Sequence, residues 1–279
     1  MAWYHALMRR HTDANDPDMA DSGWIDSVTP LVDTFCKAWF GLEVEGLDLI
    51  PDDAALVVGN HNSGITFLES MGFGAAARLH DIQGHQWRAL AHDHIVDLPV
   101  LGPLLVRIGA VRASHEGARR IFEQGRKVLV FPGGNREAFR PWTQRNTIAF
   151  GGRKGWARLA LRHGVPVVPV VFHGGHNGLI VLRDGQRFVK LTGLKRLLRV
   201  DTWPLYLGLP WGIAFGPWFH IPLPVKCRTR VLPPIGPFGS GEDAAADDAL
   251  VDRLYTEVTH AMQEALTELA QQAGDSPGS

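Results

Sequence analysis

The sequence predicts an α/β fold, a mostly parallel sheet covered by helices. Three observations carry this. The apolar runs AALVVGN, KVLVFPGG and VPVVPVVFH are short and continuous, the pattern of strands buried on both faces. Segments with apolar residues at helical spacing separate them. Gly- or Pro-containing turns close several of the runs. Strands that alternate with helices build parallel sheets. The 279 residues hold no internal repeat and no dividing linker, so a single domain over 1–279 is expected.

In chain order, a flexible polar N-terminus is expected over 1–23, a core over 24–234, a C-terminal helix over 246–272 and a disordered tail over 273–279. Asp26 or Ser27 caps a helix to about Phe40, whose apolar face is Val28, Leu31, Val32, Phe35, Cys36 and Phe40. LEVEGLDLIP alternates like a strand, and AALVVGN is a buried strand that delivers the chain to His61. A helix follows from Thr66 to about Arg78, then the strand WRALAHD and helices over Pro99 to Arg107 and Glu116 to Gln124. KVLVFPGG ends in a Pro-Gly-Gly turn, and an amphipathic helix from Lys154 to His163 is closed by Gly164. The prolines of VPVVPVVFH suggest an edge strand or a strand end. KCRTRVLPP reads as the last strand, before the helix from Asp247 to Gln272.

The charge balance, 28 basic against 29 acidic residues, has no long basic run, so no nucleic-acid partner is expected. Cys36 and Cys227 lie far apart and suggest neither a disulfide framework nor a metal site, which fits a reducing compartment. Met1 to Asp18 shows no apolar signal-peptide core after Arg9-Arg10, so action on the cytoplasmic side is expected. Thr202 to Val225 contains no charged residue and is long enough to span a bilayer, but five prolines and three glycines break any helix there. It reads as an irregular apolar segment that lines an acyl channel or enters the membrane interface, with Trp203, Tyr206, Trp211 and Trp218 at headgroup level. A peripheral or monotopic protein at the membrane surface is the expectation.

Two segments carry candidate chemistry. In VVGNHNSGITFLES, His61 stands just past a buried strand, where open α/β sheets bind ligands. An imidazole held there suits a general base, although alone the pattern fits a structural histidine equally well. In KVLVFPGGNREAFR, a second strand ends in Gly133-Gly134, which allow close backbone approach. The polar cluster Asn135, Arg136 and Glu137 follows, and Arg136 suits bidentate phosphate binding. Arg112 in RIGAVRAS supplies another positive charge, and Pro166 and Pro169 stiffen a candidate tunnel wall.

Together these blocks resemble the glycerolipid acyltransferase superfamily, with its lysophosphatidic acid acyltransferase-like fold, over about Phe40 to Pro234. The first family motif, a His with an Asp a few residues on, is matched by NHNSGITFLE with His61 as base. The second is matched by Arg112 in GAVRAS. The third, a Phe-Pro-Glu-Gly-Thr-Arg-Ser type, is matched by FPGGNRE with Arg136. The fourth is matched by VPVVPV. The chain departs from the pattern twice. Thr66 stands where the Asp is expected, which leaves Glu69 to orient the imidazole, and Gly133 replaces the motif Glu. The PGG form is similar to the mono- and diacylglycerol acyltransferase branch, which implies a neutral lipid alcohol as acceptor. A lysophospholipid acyltransferase with a phosphorylated acceptor is the alternative, followed by a lipid hydrolase or an inactive lipid-binding protein.

The resemblance implies acyl transfer from coenzyme A or an acyl carrier protein, with the acyl thioester as co-substrate and no cofactor. The expected catalytic residues are His61 and Glu69. The expected acceptor or phosphate contacts are Arg112, Gly133, Gly134, Asn135, Arg136 and Glu137. Backbone N–H groups after Gly64 or at Gly133-Gly134 are the candidate oxyanion donors. Three other patterns are set aside. HDHIVD repeats the His-x4-Asp spacing at His92 and Asp97 without a strong strand, and its HDH is too few ligands for zinc. GFGAAA at Gly72 lies within a helix rather than after a strand, and no G-x-S-x-G elbow exists.

Overall fold

In the computed structural model, which describes residues 13–62, 64, 66, 68–80, 87–194 and 200–275, the apolar runs form one seven-stranded sheet. Its strands are β1 (Glu43–Glu45), β2 (Ala55–Gly59), β3 (Trp87–Ala91), β4 (Ala110–Arg112), β5 (Lys127–Val130), β6 (Val167–His173) and, after three strands of a smaller sheet, β10 (Arg228–Val231). The order is β1-β10-β6-β2-β5-β3-β4. Every neighbouring pair is parallel except β10 with β6. The mostly parallel α/β sheet predicted from the sequence is the fold observed.

The helices are α1 (Ser22–Phe40), α2 (Leu68–His80), α3 (Asp93–Val96), α4 (Leu101–Arg107), α5 (His115–Glu123), α6 (Gly134–Ala138), α7 (Gly155–His163), α8 (Gln186–Thr192), α9 (Gly241–Ala246) and α10 (Asp248–Gln272). The central strand β2 shows why its run is apolar throughout. Leu56 and Val58 join a core with Ile121 of α5, Leu161 of α7 and Met262 of α10, while Ala55 and Val57 join Phe73 of α2 and Phe172. Successive side chains enter opposite layers. Each such Val or Leu contributes roughly 1.5–3 kcal/mol by leaving water.

Several expectations are corrected. β6 is an interior strand, flanked by β10 and β2. Its proline is tolerated because the Pro169 carbonyl accepts from Leu232 N–H, 2.9 Å, so its donor-less nitrogen faces β10 just beyond that ladder's last pair, Val231 with Val170. LEVEGLDLIP gives only a three-residue strand, because Gly46 at φ 78° turns the chain into a 3-10 turn over Leu47–Leu49. The cap of α1 is Asp21, which accepts from Trp24 N–H at 2.9 Å. Residues 13–23, expected to be flexible, are packed: Asp18 pairs with Arg126 at 2.7 Å, and Ala14 packs with Val96 and Val106. At the other end, 273–275 of the expected tail is fixed on the core by Asp275. Residues 1–12 and 276–279 lie outside the described residues.

The uncharged stretch Thr202 to Val225 is less irregular than expected. It contains β8 (Leu205–Gly208) and β9 (Gly212–Phe215), which pair antiparallel and join β7 (Ile180–Arg183) in a three-stranded sheet. Ala214 faces inward, whereas Ile213, Phe215, Trp211, Trp218 and Phe219 stay exposed. Among the described residues no helix is long and apolar enough to cross a membrane.

Candidate functional site

The C-terminal ends of β2, β5 and β6 lie side by side, and the site forms where β2 ends. Asn60 extends the strand sideways with its side chain. Its Nδ2 donates to the Phe172 carbonyl at 2.9 Å, and its Oδ1 accepts from Phe172 N–H at 2.8 Å. Asn62 Nδ2 donates to the same carbonyl at 2.8 Å. Gly59 has to be small, since a Cβ there would stand 2.8 Å from both Phe131 and Phe172. The Phe131 ring in turn packs against the His61 imidazole, with centroids 5.1 Å apart.

His61 Nδ1 meets Glu69 Oε1 at 2.5 Å, and both side chains are buried. The same Glu69 oxygen accepts from Asn62 N–H at 2.8 Å. Glu69 lies in the first turn of α2, one turn past the position of the motif Asp, so the helix points its carboxylate back at the strand end. A carboxylate on Nδ1 holds the proton there and leaves the lone pair on Nε2, the tautomer a general base needs.

Behind this pair is a buried ionic support. Glu137 and Arg140 are both almost fully excluded from solvent. Glu137 Oε2 accepts from His61 N–H and Oε1 from Ala149 N–H, each at 2.9 Å. Arg140 donates to the carbonyls of His61 (2.9 Å), Glu137 (3.0 Å), Gln144 (3.0 Å) and Arg145 (2.8 Å), and to Asn62 Oδ1 (2.9 Å). Burial pushes the Glu137 carboxyl up and the Arg140 guanidinium down, and each charge partly offsets the shift of the other. The backbone of His61 is thus held from both its N–H and its carbonyl.

The residues expected to contact acceptor or phosphate divide. Glu137 faces inward and positions His61, so it is not a ligand contact. Gly133 is needed because Glu137 folds over it: a Cβ at 133 would lie 2.1 Å from Glu137 Oε2, so the motif Glu has no room. The Gly134 N–H is bonded to the Phe131 carbonyl at 3.1 Å, which removes it from the oxyanion candidates. The Gly133 N–H remains a candidate, and the residue after Gly64 lies outside the described residues. Asn135 is exposed. Arg136 is partly exposed on α6, with Nη2 3.6 Å from Asp201, which also attracts Arg153 at 3.7 Å. Arg112 is at the far edge strand β4, paired with Asp97 at 2.7 Å. His61 and Glu69 are therefore brought together, while Arg112 is paired with Asp97 on the edge strand and Arg136 leans toward Asp201.

An apolar cleft opens beside Glu69, lined by Cys36, Phe40, Leu42, Asn62, Glu69, Phe172, Pro222 and Cys227 among others, with His61 outside its wall. Arg136 does not line it. Burial pushes the Cys36 thiol up to about 11 and the Cys227 thiol up to about 12, Cys227 with a contribution from the Glu69 charge. Both are neutral thiols at neutral pH and not nucleophiles. Iodoacetamide at neutral pH is expected to leave both unmodified while labelling the unfolded chain. Fast labelling of the native protein would contradict this.

Sequence reasoning missed Arg140, Asn60, Asn62 and His176. His176 is buried near His61, Arg140 and the Glu137 backbone, and burial holds its pKa well below the usual histidine range. The one signal for Arg140 was its three-residue spacing from Glu137, just past the end of α6.

The sheet thus carries a buried His–carboxylate pair at its C-terminal edge, with an apolar cleft beside the carboxylate. Residues 41–173 match the protein-family model described as Acyltransferase. An uncharacterised protein of Mycobacterium tuberculosis is 30% identical over 243 residues, which are 87% of this chain and 65% of that one. The Mus musculus protein named DGAT1/2-independent enzyme synthesizing storage lipids is 30% identical over 185 residues, 66% of this chain and 54% of that one. The chain thus spans less than two thirds of the length of these relatives. Among solved structures, the 1-acyl-sn-glycerophosphate (LPA) acyltransferase PlsC of Thermotoga maritima shares the fold, with a TM-score of 0.51 and 18% identity, covering 86% of this chain and 80% of that one.

Proposed function

We propose that this chain transfers a fatty acyl group from a thioester, on coenzyme A or a carrier protein, to the hydroxyl of a neutral lipid alcohol. The 2.5 Å contact between His61 Nδ1 and Glu69 Oε1 carries the proposal. Neutral His61 takes the acceptor's hydroxyl proton on Nε2 as that oxygen attacks the thioester carbonyl. The tetrahedral intermediate collapses, the C–S bond breaks, and the imidazolium returns its proton to the departing sulfur. Glu69 stabilises the imidazolium between these steps. The thioester is already activated, and no thiolate stands ready for a covalent intermediate. Asn62 and Glu69 are at the cleft wall, so the acyl chain is assigned to the apolar side, along Phe40, Leu42 and Phe172.

The acceptor assignment rests on the arginines. Arg112 is engaged by Asp97 and Arg136 is drawn toward Asp201, and neither guanidinium lines the apolar cleft. The mouse relative, whose name refers to storage-lipid synthesis, supports the same reading. The lipid is reached at a membrane surface through the small sheet. Phe188 of α8 and Phe215 pack 5.0 Å apart on its outer side, near exposed Ile213 and Leu191, and Arg187 and Lys190 on α8 add positive charge for anionic headgroups.

The test supplies labelled acyl-CoA with monoacylglycerol, diacylglycerol or lysophosphatidate in vesicles, and product esters are read by mass spectrometry. The neutral alcohols are expected to show the higher kcat/KM, and Ile213→Asp with Phe215→Asp is expected to raise KM for vesicle-borne acceptor with little change in kcat. A preference for lysophosphatidate overturns the acceptor, and thioester consumption without any acceptor favours a hydrolase.

A further inference from the structure

A second polar site lies at the C-terminal end of β6 and holds a carboxylate of the chain itself. Just past α10, Asp275 sits in a cleft lined by Trp142, Arg145, His173, Asn177, Lys226 and Arg228 among others. Arg145 presents the Nε–Nη2 edge of its guanidinium to Asp275 Oδ1, with Nε at 2.9 Å and Nη2 closer still. Oδ2 is reached by His173 Nε2 at 3.3 Å and Asn177 Nδ2 at 3.4 Å.

The donors are fixed in advance. Arg145 stacks on the Trp142 indole, 3.7 Å from guanidinium carbon to ring centroid. The Trp142 N–H donates to Asn177 Oδ1 at 3.0 Å, which turns the amide nitrogen of Asn177 toward the anion. Arg145 and His173 are both buried. Such an edge-on fork with oriented donors from separate elements is how proteins select oxyanions.

Asp275 fills this site incompletely. Seated against Arg145, its second oxygen stays at the outer limit of hydrogen-bond distance from His173 and Asn177. The cleft wall carries three fixed cations, Arg145, Lys226 and Arg228, against the single acid Asp275, with Arg228 shared with Glu43 at 3.1 Å. A group with three terminal oxygens and nearly two negative charges meets more of these donors than a carboxylate does.

We propose that the Arg145–His173–Asn177 cluster is a binding site for a phosphate monoester, which Asp275 occupies in its absence. The site adjoins the candidate base through covalent and hydrogen-bonded steps already described. The Arg145 carbonyl accepts from Arg140, which holds the His61 carbonyl, and His173 follows Phe172, which holds Asn60 and Asn62. A phosphate here anchors a substrate or effector whose remainder extends toward the acyl cleft, because His173 and Arg228 line both clefts.

Binding is measurable without turnover, so the proposal stands or falls apart from the acyl-transfer reading. Asp275→Ala removes the internal competitor, while the Asp275 backbone keeps its bonds to Asn146 Nδ2 and the Ala270 carbonyl. Isothermal titration with inorganic phosphate is expected to give a Kd at least about tenfold lower for Asp275→Ala than for the unaltered protein. Adding Arg145→Gln to that variant is expected to abolish the gain. Adenosine 3′,5′-bisphosphate in solution and lysophosphatidate in phosphatidylcholine vesicles are then tested as competitors, and the one that displaces phosphate identifies the source as nucleotide or lipid. Unchanged phosphate affinity in Asp275→Ala, a gain that survives Arg145→Gln, or displacement by neither competitor overturns the proposal.

Discussion

Replacing His61 by alanine is expected to lower acyl transfer by roughly 10²–10⁴, the range a general base supplies, while the protein stays folded. The reason lies in the backbone. The bonds to His61 from Glu137 and Arg140 use its N–H and carbonyl, and both survive loss of the ring. Glu69 also keeps its bond to the Asn62 N–H. The variant therefore reads chemistry rather than stability. Glu69→Gln is expected to fall in the same direction for a different reason. The amide oxygen still accepts from the Asn62 N–H and from His61 Nδ1, but a neutral amide does not stabilise the imidazolium that forms when His61 takes the proton. Initial rates with purified, circular-dichroism-matched proteins check both, and a folded His61→Ala protein at full activity would remove His61 from the mechanism.

The second large effect is on stability. Arg140→Met is expected to cost about 3–5 kcal/mol, the usual consequence of leaving a buried charge without its partner. Glu137 would keep two backbone N–H donors but lose the compensating cation, and four carbonyls and the Asn62 oxygen would lose a donor. Chemical denaturation measures it. A loss below roughly 1 kcal/mol, as for an exposed ion pair, would mean that the cluster is solvated and does not hold the site.

What could be read from the sequence follows from how local each signal is. The buried strands were legible because a run such as AALVVGN has no other way to satisfy two apolar faces, and the position of His61 at its tip followed directly. Glu69 was legible as a substitute for the missing Asp because one helical turn separates Thr66 from it, and the longer side chain reaches back. Arg140 was not, since an arginine leaving a short helix reads as solvated. Its burial arises only when the acceptors of residues 61, 62, 137, 144 and 145 converge. Glu137 was assigned to a ligand for the same reason, because its orientation depends on the backbone of His61, 76 residues earlier.

Other misreadings have tertiary causes as well. The prolines of β6 suggest an edge until the end of the β10 ladder is seen to lie beside Pro169. Asp275 stands in a segment whose composition is that of a solvated tail, and only Arg145, His173 and Asn177, distant in sequence, draw it in. The uncharged stretch from 202 to 225 could not be read as a hairpin from its proline and glycine content, because its two strands are four residues each and one of them, β8, also pairs with β7 outside the stretch.

The account depends on His61 and Glu69 acting as one unit, and a double-variant cycle on acyl-transfer rate tests that most directly. If the carboxylate works only through the imidazole, the His61→Ala/Glu69→Gln protein loses no more activity than His61→Ala alone. If the two losses multiply instead, Glu69 acts independently of His61, and the pair is not the catalytic unit.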